Sequence, residues 1–206
     1  MKRCATDVRL LLGIVGAHIL IYMAYHNDNV FWYLYTATIL FCVSYAILNN
    51  NNNFKNTLPL AQSILYGLFS GIILYALFFI GNLLIDWLQL KDLAKDVNQL
   101  YKTYSPISFW HYLVLFAIII PGEEIFWRGY VQKRLDDFNL QPSLIILLSA
   151  ILYTLPMLYS QNLALVVAGA VAGLVWAILY QWKKSLPLVI VSHLVFDCIL
   201  LIILPL

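Results

Sequence analysis

The stretch FWHYLVLFAIIIPGEEIFWRGYVQKRL, residues 109–135, runs from an apolar segment into Glu123, Glu124 and Arg128 before it reaches Lys133 and Arg134. A span of this length and polarity crosses a hydrocarbon core of ~30 Å, so the ionisable groups near its middle lie inside the membrane. The rest of the chain agrees. Its 206 residues are 63% hydrophobic and 11% charged, with a mean hydropathy of +0.83, against roughly 25% charged for a soluble domain. The pattern predicts an all-α, polytopic helical bundle forming one membrane domain over residues 1–206, at home in the cell membrane as a multi-pass protein.

Seven spans are predicted at about 9–25, 30–48, 58–88, 107–128, 142–158, 162–181 and 185–205. The third is overlong and contains Gly67, Gly71 and Gly81, which fits a tilted or broken helix. Residues 90–104 put Leu90, Leu93, Val97, Leu100 and Tyr104 on one helical face and Lys91, Asp92, Lys95, Asp96 and Lys102 elsewhere, as in an interfacial helix. The asparagine run at residues 49–53 reads as a solvated loop. Gly169-x-x-x-Gly173 offers a face for close helix packing. A cytoplasmic N-terminus places nine of the twelve Lys and Arg, Arg128 among them, on the cytoplasmic side and leaves only Lys91, Lys95 and Lys102 outside.

The net charge of +2 gives no reason to expect nucleic acid as a partner. The first residues resemble a secretory signal without a small-x-small cleavage site, hence an uncleaved first span. Cys4, Cys42 and Cys198 have neither metal-ligand spacing nor a disulfide pattern.

Ionisable groups in a span cost ~2.5 to 3.5 kcal/mol each at a helix centre and mark function by default. Glu124 and Arg128 are i and i+4, so each can neutralise the other. Glu123 is left as a carboxylate without a local partner, suited to moving a proton. His193 and Asp197 are also i and i+4. Measured from Lys133 and Lys184, Glu123 and His193 lie ~14 Å deep at 1.5 Å per residue, which predicts one shared site, open toward the cytoplasm. Pro121 and Gly122 predict a kink or local opening beside it.

Glu123-Glu124-x-x-x-Arg128 and the later His193-x-x-x-Asp197 resemble the motifs of the CPBP intramembrane proteases, the family of CAAX endopeptidases and of bacterial bacteriocin-processing or immunity (Abi) proteins. The resemblance covers a core at residues 107–205. The N-terminal spans and interfacial helix, residues 1–106, carry no motif. It implies a hydrolase in which Glu123 activates water, Glu124 and Arg128 form a structural pair, and His193 with Asp197 positions water or stabilises the oxyanion. An Asp197 anion serves an oxyanion only if protonated. It also implies a middle motif, Phe-x-x-x-His, whose histidine assists the glutamate. Here Tyr153 and Met157 stand at those two positions, and a thioether cannot shuttle a proton. His18, His26 and His111 do not align with the site.

The resemblance implies a prenylated or leader-type peptide, or a lipidated protein, as substrate in the bilayer. The alternative is a degenerate member that binds a peptide, an immunity target or a membrane protein partner without cutting it. A transporter is disfavoured, since no inverted repeat is detectable and the charges cluster in two helices. Glu123, His193 and Asp197 offer three ligands in principle, but zinc is disfavoured for want of His-Glu-x-x-His; no cofactor is expected.

Overall fold

A computed structural model describes residues 7–50 and 56–206. Among them are seven helices long and apolar enough to cross a membrane. In chain order these are α1 (Val8–Tyr25), α2 (Phe31–Asn49), α3 (Leu60–Trp87), α5 (Phe109–Asp136), α6 (Pro142–Ser160), α7 (Leu163–Lys183) and α8 (Leu186–Ile203), with the amphipathic α4 (Lys91–Tyr104) between α3 and α5. The described residues contain no strand. Lys2, Arg3, Cys4, Lys55 and residues 51–53 of the asparagine run lie outside the described residues.

The helix starts carry the expected caps. Asp7 accepts from the Leu10 N–H at 3.1 Å, and Asn162 from that of Leu165 at 2.9 Å. Ser108 and Ser185 cap α5 and α8 in the same way. Lys184 closes α7 in the left-handed region at φ 45°, its N–H reaching the Tyr180 carbonyl.

Of the two expectations about helix breaks, one is corrected: where a tilted or broken third span is expected, there is no break. α3 runs as one unbroken helix. Its glycines serve contact: a Cβ at Gly67 would stand 2.7 Å from Val191, and one at Gly71 2.6 Å from the Ser192 carbonyl, so they let α3 seat on α8. At Pro121 and Gly122 the local opening takes the form of a wider helix. The bond that proline cannot make is absorbed by widening, since residues Leu115–Ile119 and Ile125–Gln132 are π-helical and the Ile120 N–H reaches back to the Leu115 carbonyl. Gly122 is a packing position, where a Cβ would stand 2.2 Å from an Ile39 methyl carbon of α2.

α4 also differs from a helix merely lying in the interface. Leu93, Val97, Leu100, Tyr101 and Tyr104 face inward over a cavity of about 500 Å³ between α3, α7 and α8. Asp96, on the polar side by sequence, ties α4 to the start of α7. Its carboxylate accepts from the Leu163 N–H at 3.0 Å, and its carbonyl accepts from the Asn162 amide at 2.8 Å.

One end of the bundle gathers charge. Arg134 pairs with Asp7 at 3.2 Å and Lys184 with Asp136 at 2.8 Å, while the Lys133 ammonium donates to the Asn50 side chain and Thr57 donates to the Lys183 carbonyl. α4 lies at the other end.

Candidate active site

α5 is the axis of the site. Glu124, Arg128 and Gln132, each four residues from the next, form a stripe that is fully buried. Such a stripe needs acceptors, and α7 supplies them from its backbone: Arg128 Nη2 donates to the Gly173 carbonyl at 3.1 Å and Gln132 Nε2 to the Ala177 carbonyl at 2.9 Å. The small residues of α7 allow this approach. Gln132 is completed by the Ser149 hydroxyl of α6 at 3.1 Å. This places Arg128 in the interior, so its count among the cytoplasmic charges is corrected.

The two motif segments meet as their common depth predicts. Glu124 Oε1 accepts from Arg128 Nη1 at 3.3 Å and faces His193 Nδ1 at 2.9 Å. Glu124 is therefore shared between the arginine and the histidine. An ionised Glu124 only accepts, so this contact puts the proton on Nδ1. His193 Nε2 lies 3.6 Å from Asp197, an ion-pair distance longer than a hydrogen bond. Trp176 stacks on the imidazole with ring centres 3.7 Å apart and is itself held by Ser192. The Arg128 guanidinium also lies 4.3 Å from the Tyr153 ring centre, a distance typical of cation–π contact.

Glu123 has partners after all. Its Oε1 accepts from the Tyr35 hydroxyl of α2 at 2.7 Å, and its Oε2 from the Tyr153 hydroxyl of α6 at 3.0 Å. The expected lack of a local partner holds along the helix, and two distant helices supply what α5 does not. Tyr153 was legible as the aromatic of the middle motif, and its hydroxyl was the added signal. Tyr35 had none, being one of 14 tyrosines in the chain.

Met157 and Tyr153 are seated by Gly169 and Gly173. A Cβ at Gly169 would overlap the Met157 sulfur at 1.9 Å, and one at Gly173 would stand 2.6 Å from the Tyr153 ring. The predicted packing face is thus the seat of the middle motif. Met157 lines a second cavity, of about 220 Å³, whose floor is Glu123, Trp176 and His193. That cavity extends past Tyr35, Leu165 and Leu200 to Trp32, Tyr104 and Pro106, at the α4 end. The expectation that the site opens toward the lysine-rich end is corrected: the helices close around Gln132 there, and the space widens the other way. Asp197, Leu200 and Tyr104 also line the larger apolar cavity beneath α4, so the two adjoin.

The remaining histidines are engaged elsewhere. His18 bonds the Tyr159 hydroxyl at 3.0 Å, His26 the Tyr22 carbonyl at 3.1 Å, and His111 stacks on Trp32. Among the described residues, no three or more His, Cys, Asp or Glu side chains are grouped as a metal site.

The family model for type II CAAX prenyl endopeptidase Rce1-like proteins matches residues 105–199. Over these residues the chain is similar to the CPBP family. The matched region contains Glu123, Glu124, Arg128, Tyr153, Met157, His193 and Asp197, whereas Tyr35 comes from the preceding spans. No curated protein and no solved structure matches the chain.

Proposed function

We propose that the chain is an intramembrane endopeptidase in which Glu123 is the general base. One observation carries this reading: Glu123 lies on the floor of a cavity, held by two neutral hydroxyls, while Arg128 beside it is committed to Glu124 and Gly173. Neutral donors orient a carboxylate without neutralising it, which leaves it able to take a proton.

The chemistry balances on the residues present. Glu123 takes a proton from water as the oxygen attacks the peptide carbonyl. The resulting oxyanion is met by His193, which lines the cavity and donates when Nε2 is protonated, while the single protons of the Tyr35 and Tyr153 hydroxyls stay on Glu123. Collapse breaks the C–N bond, and protonated Glu123 returns its proton to the leaving amine. Glu124 and Arg128 act through His193, fixing the ring that Trp176 covers. The likeness to CAAX prenyl endopeptidases supports a peptide bond near a lipidated chain end as the point of attack; a leader-type peptide is the other class that the motifs' resemblance implies.

Replacing Tyr153 or Tyr35 by Phe removes one donor to Glu123 and leaves the ring packing. Each variant should lose about tenfold in cleavage rate, consistent with ~1.4 kcal/mol per hydrogen bond to a charged group, while its melting in detergent changes little. Equal losses of rate and stability would make these hydroxyls structural.

The decisive test is digestion of candidate peptides by detergent-purified protein, with fragments read by mass spectrometry, for the wild type and for Met157→His. Since Gly169 leaves room for a side chain at 157, the histidine should fold in and raise turnover by about 10² or more, the usual worth of a general acid or base. Cleavage by the wild type eliminates a non-cutting role. Cleavage by Met157→His alone makes the chain as it stands a non-cutting member.

A further inference from the structure

The cavity above Glu123 has a side, and the charges of the bundle say which. Arg9, Lys133, Arg134, Lys183 and Lys184 lie at one end, with Tyr45 of α2 bonded to the Arg9 carbonyl, Arg134 to Asp7 and Lys184 to Asp136. Lys2, Arg3 and Lys55 flank the same helix ends by sequence position. With Arg128 withdrawn as a buried group, five of the eight remaining Lys and Arg among the described residues lie at that end, and Lys91, Lys95 and Lys102 lie at the other. Under the positive-inside rule the first end is cytoplasmic.

The cavity widens away from it. Its floor is Glu123, Trp176 and His193, and its upper wall is Tyr25, Trp32, Leu100, Tyr104 and Pro106, residues at the start or end of helices on the α4 side. The stripe of Arg128 and Gln132 bonded to α7 fills the space below. The apolar cavity under α4 adjoins on that same side. A chain entering from the α4 side has ~20 Å to travel, the rise of 14 helical residues from Phe109 to Glu123, which an extended peptide spans with about six residues.

We infer that the reaction cavity opens on the non-cytoplasmic face, so that a peptide substrate reaches Glu123 from that side, threaded inward by six or more extended residues. This rests on the peptidase reading for the word substrate. The sidedness itself does not depend on turnover.

The test uses single cysteines in a background with Cys4→Ser, Cys42→Ala and Cys198→Ala. Exposed Lys95→Cys on α4 and exposed Asp137→Cys beyond α5 report the two ends, and Met157→Cys reports the cavity, with Tyr104→Cys as a second reporter at its mouth. A permanently charged thiosulfonate, 2-(trimethylammonio)ethyl methanethiosulfonate, is applied to right-side-out and to inverted membrane vesicles. Because a fixed charge crosses the bilayer poorly, Lys95→Cys, Met157→Cys and Tyr104→Cys should react at least about tenfold faster in right-side-out vesicles, and Asp137→Cys in inverted ones. Cavity cysteines that react from the Asp137 side overturn the inference. So does Lys95→Cys reacting from the cytoplasm, or both cavity cysteines reacting from neither side. A chain that never cuts a peptide still gives the expected pattern, so this outcome and that of the digestion are independent.

Discussion

Glu123→Gln should abolish peptide cleavage, with a loss on the order of 10² to 10⁴ in kcat/KM and no loss of folded protein. The amide keeps the shape of the carboxylate and one oxygen to accept a hydroxyl proton from Tyr35 or Tyr153, so the cavity floor retains most of its geometry. It cannot take a proton from water at neutral pH. Single-turnover kinetics on detergent-purified protein, together with a melting curve, separate the two effects. Unchanged cleavage in Glu123→Gln would remove Glu123 as the base and would leave the shared contact of Glu124 and His193 as the place to look.

Arg128→Ala should act mainly on the fold. Glu124 and Arg128 are both fully buried and 3.3 Å apart, and the arginine also satisfies the Gly173 carbonyl and lies under Tyr153. Removing one partner of such a pair leaves an uncompensated charge, which costs about 3 to 5 kcal/mol. Thermal unfolding in detergent should show it as a fall of roughly 6 to 20 °C, taking 2 to 4 °C per kcal/mol for a chain of this size. Removing both charges tests the cause: Glu124→Gln with Arg128→Met should recover a large part of the loss, because a neutral, space-filling pair needs no compensation. A single variant as stable as the wild type would mean that Glu124 finds its balance in His193 alone.

The helical bundle was legible because the bilayer imposes a simple rule on composition and length, and all seven spans lie near their expected positions. The site was legible in part for the same reason. Charges in an apolar span are few, and Glu123, Glu124, Arg128, His193 and Asp197 were conspicuous in it. What the residues did not reveal was partnership across helices. Tyr35 is bonded to Glu123 although 88 positions separate them, and nothing about a tyrosine in an aromatic-rich span marks it. The direction of the cavity was misjudged because depth along a helix measures distance from an edge and not where the neighbouring helices part. Pro121 and Gly122 were read as an opening because a proline removes one backbone bond. The opening takes the form of π-helical turns, which composition does not distinguish from a sharp kink.

The bonds from Arg128 and Gln132 to the carbonyls of Gly173 and Ala177 have a mechanical consequence. Two donors on one helix grip two acceptors on the next at the same interval of four residues, so α5 and α7 behave as a rack and its toothed bar. A slip of one residue disengages both teeth together, and there is no intermediate position. The pair that carries Glu123 and seats Met157 is therefore a fixed frame. Any yielding that admits a peptide falls to the pieces held without such teeth, α4 with its tether at Asp96 foremost among them.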